Sequence, residues 1–186
     1  MRLFLAIPLQ GPAHLALTQS LLRWRRQLLN ARWEAPEALH LTLQFIGPWP
    51  QARESELIAA LADLRLDPLS LRLAGLGAFP NPRQPRIVWA GVVPHFPLAA
   101  WVAAIAARLQ PLGIQREPRP FTPHISLARL TAASHAHSLR FDPHRPHWGE
   151  LPADHFGLYH TLPDAPPAQR YQLRYRFPTS PSTHLK

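Results

Sequence analysis

"HLTLQFIG" (residues 40–47) has the alternating apolar content of a strand but opens on a histidine and a threonine two positions apart. Successive side chains of a strand point to opposite faces, so His40 and Thr42 share one face while Leu41 and Leu43 take the other. The arrangement recurs in "PHISLAR" (123–129), where His124 and Ser126 share a face opposite Ile125 and Leu127. A polar pair on an apolar strand needs a reason, because burying it without partners is costly. A single pair reads as structural; two pairs, 84 positions apart (124 minus 40) in 186 residues, suggest a pseudo-twofold arrangement with one motif strand in each of two lobes.

Outward from these strands, "RLFLAIP" (2–8) reads as a strand and 12–29 as a helix with Arg23, Arg25 and Arg26 near its end. Residues 52–65 form an amphipathic helical pattern, followed by strands at "LSLRLAGLGAFP" and "PRIVWAGVV", a helix over 97–113 and the second motif strand over 121–130. The His- and Pro-rich stretch that begins at residue 131 reads as a connection, and "DHFGLYHTL" and "RYQLRYRF" close the chain as two strands. The expected organisation is one domain over 1–177 with a disordered tail over 178–186.

Composition narrows the chemistry. The absence of cysteine excludes disulfides and thiolate metal sites and suits a cytoplasmic setting. The first apolar run is too short for a signal peptide or a membrane span, so no membrane association is expected. Twenty Lys plus Arg against 11 Asp plus Glu leave a formal charge of +9, which favours an anionic partner such as a nucleic acid or nucleotide.

Two histidines facing one cleft can divide acid and base duties, since imidazole titrates near neutrality. Hydroxyls from Thr42 and Ser126 would donate to the non-bridging oxygens of a phosphate. That set suits in-line displacement at phosphorus, and a cyclic phosphate opens with one proton in and one out. Arg129 follows Ser126 by three, so strict alternation puts it on the far face, unless a bulge turns it inward to hold a phosphate. Alternation places Gln44, not Phe45, on the His40 face as a polar wall. Phe121 and Trp89 could stack a base, although Trp89 reads better as core. His135 and His137, His144 and His147, and His155 and His160 lack acidic or thiol companions at ligand spacing, so no metal site is expected.

The pair "HLTL" and "HISL" resembles the signature of the two-histidine phosphoesterases, and its surroundings resemble their LigT-like branch, the RNA 2′,3′-cyclic phosphodiesterases (ThpR). The likeness runs in order through "RLFLAIP", "LHLTLQFIG", "RIVWAG", "FTPHISLAR" and "FGLYHTLPDAPPAQRYQLRYRF". It implies a bilobal α+β fold of two antiparallel sheets around a central cleft, with helices outside. It also implies cofactor-free, metal-independent hydrolysis of a 2′,3′-cyclic phosphate at an RNA 3′ end to a 2′-phosphate, with a reversible 2′-5′ RNA ligase activity. By position, His40 would be the general acid and His124 the general base, with Thr42, Ser126 and Arg129 on the phosphate. Ser126 stands where threonine is common, which keeps the donor. The implied partner is RNA with cyclic phosphate ends, or cyclic nucleotides, met by a monomer without an obligate protein partner. The alternatives are a nucleotide or 2′-5′ oligonucleotide phosphodiesterase on the same scaffold, and a non-catalytic RNA-end binding module.

Overall fold

A computed structural model describes residues 1–131 and 139–180. Nine strands form in order: β1 (Arg2–Pro8), β2 (Arg32–Trp33), β3 (His40–Pro48), β4 (Leu69–Phe79), β5 (Ile87–Val93), β6 (His124–Arg129), β7 (Asp142–Ala153), β8 (His155–Thr161) and β9 (Tyr171–Pro178). Three helices join them: α1 (Gly11–Gln27), α2 (Glu54–Ala62) and α3 (His95–Leu109). Helix α1 begins with Pro12 in its first turn, where a missing N–H costs nothing, and ends with Arg25 and Arg26 against the negative end of its dipole. It buries Ala13, Leu17 and Leu21, one residue per turn.

The strands make one antiparallel sheet in the order β7-β4-β5-β6-β3-β1-β8-β9, with β2 paired to β6. The two sheets expected around the cleft are two halves of it, β9-β8-β1-β3 and β6-β5-β4-β7, each ending inward on a motif strand. These halves join through one register pair, Leu41 opposite Ile125. Both residues are fully buried, in a hydrophobic core shared with Leu5, Leu17, Ile105 and Leu158. The helices therefore cover the Leu41 face of the sheet and leave the His40 face to the cleft. Across the join, α1 reaches the other half: the Trp148 indole N–H of β7 donates to Ser20 Oγ at 3.0 Å, and the Trp24 ring meets Trp148 edge-on.

The sequence reading of the His- and Pro-rich stretch as a connection is corrected over Asp142–Ala153, which is the twelve-residue strand β7. Pro143, Pro146 and Pro152 are compatible with it because β7 lies at the sheet edge, where one side of the strand makes no ladder bonds. The expectation of a disordered tail is also corrected at residues 178–180, the first of which ends β9. Thr179 donates to the Asp154 carbonyl from both its N–H and its hydroxyl, and the Ser180 N–H donates to Leu66 O at 2.8 Å. The rest of that tail, 181–186, and the 132–138 part of the connection lie outside the described residues. No helix among the described residues is long and apolar enough to cross a membrane.

Candidate active site

The Leu41–Ile125 pair fixes what lies on the other face of the join. One residue to either side, His40 and Thr42 on β3 and Ser126 and His124 on β6 turn to the cleft, all half-buried. His40 Nδ1 is 2.7 Å from the carbonyl of Ala38 and His124 Nδ1 is 2.7 Å from that of Thr122, in each case two residues back. A carbonyl only accepts, so each Nδ1 carries a hydrogen and each Nε2 of the neutral ring is the acceptor nitrogen. Neither the Thr42 nor the Ser126 hydroxyl has a hydrogen-bond partner among the described residues. Sequence reasoning brought these four residues together, and the structure does so too.

Beyond them, alternation fails in both motif strands at the same place. Against β1, Thr42 pairs with Ala6 and Gln44 with Leu5, so Leu43 is an extra, unopposed residue. Against β5, Ser126 pairs with Trp89 and Ala128 with Val88, so Leu127 is extra in the same way. Each bulge reverses the facing of the residues after it. Gln44 consequently turns away from His40. It is 6% exposed, and its amide N–H groups donate to Phe45 O at 3.0 Å and Gln115 O at 3.2 Å, which corrects the expectation of a polar wall. Phe45, assigned by alternation to the far face, is on the cleft face and 68% exposed. Arg129 comes inward through the bulge, exposed, with its charge acting on the Tyr171 phenol beside His40. Phe45 and Arg129 thus occupy equivalent places, five residues after each histidine, and differ completely in chemistry.

Rings surround the two imidazoles. Phe4 and Tyr171 lie 4.9 and 4.8 Å from His40 between centroids, the second edge-on. Phe79 meets His124 edge-on at 4.9 Å, with Trp89 at 6.1 Å. Trp89 is therefore a cleft-side residue and not core, because its register partner is Ser126. Its indole lies flat over Gly77, where a Cβ would come within 2.1 Å of the ring. Phe121 is elsewhere: it precedes β6, outside the strand alternation, and packs half-buried against the core. Phe4, Phe79 and Tyr171 were missed in the sequence. "RLFLAIP" is apolar on both faces, so periodicity gave Phe4 no side, and Tyr171 reaches His40 only through the curvature of the sheet.

Burial pushes both imidazoles below their ordinary range, and the charge of His124 lowers His40 further, while the carbonyl bonds oppose the shift. Both rings are then mostly neutral at pH 7. Proton NMR titration should place both midpoints below 6.5, and His124→Gln should raise that of His40 by removing the like charge. Midpoints at or above the ordinary value would contradict this electrostatic account.

No three His, Asp or Glu side chains among the described residues cluster as a metal site; His135 and His137 lie outside those residues. Two imidazoles fixed by backbone carbonyls, two hydroxyls without a hydrogen-bond partner among the described residues and a guanidinium around one opening form a set chemically suited to displacement at a phosphate.

The sequence profile of LigT-like phosphoesterases matches residues 6–89. An RNA 2′,3′-cyclic phosphodiesterase of Archaeoglobus fulgidus is 28% identical over 130 residues, 70% of this chain and 73% of that protein. Among solved structures, TT0787 of Thermus thermophilus superposes with a TM-score of 0.78 at 30% identity, covering 96% of this chain and 97% of the other. E. coli LigT complexed with 3′-AMP gives 0.75 at 26% identity, covering 97% and 98%.

Proposed function

The chain belongs to the family of LigT-like phosphoesterases, and from that premise we propose that it hydrolyses the 2′,3′-cyclic phosphate at an RNA 3′ end to a 2′-phosphate without a metal ion. The observation that carries this reading is the pair of Nε2 nitrogens, each fixed by an Nδ1–H bond to a backbone carbonyl, on one face of a two-strand join. His124 Nε2 takes a proton from water as the water oxygen attacks phosphorus, the bond from phosphorus to O3′ breaks, and protonated His40 gives its Nε2 proton to O3′. Thr42 and Ser126 donate to the non-bridging oxygens, and Arg129 places a fixed positive charge beside them. Ligation to a 2′-5′ linkage is the same displacement with a ribose 5′-hydroxyl in place of water as the nucleophile, P–O3′ again being the bond that breaks.

The required state has one ring protonated and one neutral. Because both free rings bind protons weakly, that state fades as pH rises above the ordinary imidazole value, so kcat/KM should fall from pH 6.5 to 8.5. A bound phosphate anion favours the imidazolium, so the alkaline limb of kcat should lie at higher pH.

The functional test compares 2′,3′-cyclic mononucleotides, RNA with a cyclic phosphate end and 2′-5′ linked dinucleotides, with product position read by phosphorus NMR in EDTA. A 2′-phosphate product from the cyclic substrates is expected. Turnover of the dinucleotide alone would reassign the enzyme, and binding without product would make it an RNA-end binding module.

A further inference from the structure

The two halves of the cleft face are finished differently. In the β6 half, Trp89 lies over Gly77 and Phe79 abuts His124, so aromatic side chains fill the ground next to the histidine. In the β3 half, the register runs straight from Thr42 through Ala6 on β1 and Gly157 on β8 to Arg176 on β9. Three inter-strand steps put Arg176 roughly 14 Å from Thr42. Rings mark the same route: Phe4 packs on His40, and Tyr159 stacks on Phe4 at 5.5 Å and 19°. Tyr159 and Leu173 then lie down over Gly157, where a Cβ would meet them at 2.6 and 2.7 Å.

This route is wet and apolar at once, with Leu173 50% and Phe45 68% exposed, and it ends at a cation. Arg176 is exposed, and its charge acts on the Tyr159 phenol. Two other groups face it. Asp154 accepts the Nδ1–H of His155, and one Arg176 Nη2 lies 3.2 Å from that nitrogen, so the other N–H groups of its fork remain for a ligand.

We propose that this shelf carries the RNA strand upstream of the reacting end, with Arg176 holding a backbone phosphate and the Phe45–Leu173 row offering its flat apolar surface to the bases. The proposal rests on the function given above and makes the substrate an oligoribonucleotide. Aromatic and apolar platforms beside a basic groove are how single strands are bound without sequence preference.

The test is equilibrium binding of a product that is not turned over: a trinucleotide ending in a 2′-phosphate against a nucleoside 2′-monophosphate, each across a salt series. The trinucleotide should bind about tenfold more tightly. Its log–log salt slope should be steeper by about 0.7 for each additional phosphate contacted. Arg176→Gln should remove about 0.7 of that slope and narrow the ratio of the two dissociation constants. Equal affinities in the parent protein, or a ratio that Arg176→Gln leaves unmoved while circular dichroism shows an unchanged fold, would overturn the shelf. A length preference without hydrolysis of cyclic ends would support the shelf and sink the catalytic reading alone.

Discussion

Alanine in place of His40 or His124 is expected to lower kcat/KM on a 2′,3′-cyclic phosphate by about 10²–10⁴ each. Each removal leaves the displacement with water as its only proton carrier on that side. The double variant should lose far less than the product of the two losses, because acid and base act in one step. The fold should survive. Each half-buried imidazole makes one bond to a nearby backbone carbonyl, so its loss costs about 1 kcal/mol. Steady-state kinetics beside a thermal melt check both halves of the claim. Full activity of either variant on cyclic-ended RNA would end the two-histidine mechanism for this protein.

Arg129→Ala is expected to cost about 10²–10³ in kcat/KM, the size of losing one preorganised donor to a developing charge. Arg129→Lys should recover only part, because an ammonium lacks the planar fork that meets two phosphate oxygens together. Since Arg129 is exposed, both variants should melt within about 0.5 kcal/mol of the parent. Gln44→Ala supplies the contrast. Its buried amide serves Phe45 O and Gln115 O on the core side, so stability should fall by about 1–3 kcal/mol while kcat/KM on the cyclic phosphate holds. Strict alternation gives the reverse order, with Gln44 in the cleft and Arg129 outside it. The two variants therefore test the bulges as directly as they test the chemistry.

Local sequence carried a great deal here. Two short strands with a histidine and a hydroxyl two residues apart can only present both groups on one face, and their duplication at half a chain length implied a paired site. The ordered likeness to LigT-like phosphoesterases extended this to the α+β architecture and to most strand positions. Helices α1, α2 and α3 and strands β8 and β9 form where spacing indicates, within a few residues at their ends.

What local sequence could not carry depends on partners. Whether a strand holds a bulge is set by how many residues its neighbour lays opposite it; nothing within "HLTLQFIG" says that Leu43 has no counterpart on β1. The facing of Gln44, Phe45 and Arg129 depends on that count alone. Likewise a proline-bearing stretch reads as a loop until the fold puts it at a sheet edge, where β7 has no ladder to complete on one side. The ring cage of Phe4, Tyr171 and Phe79 is assembled from distant segments by the twist and curvature of the sheet, a property of the packed strands together. Side-chain alternation, local by nature, was enough to put the two histidines and two hydroxyls on one face. Register across strands, which is tertiary, decided which of the neighbouring residues share it.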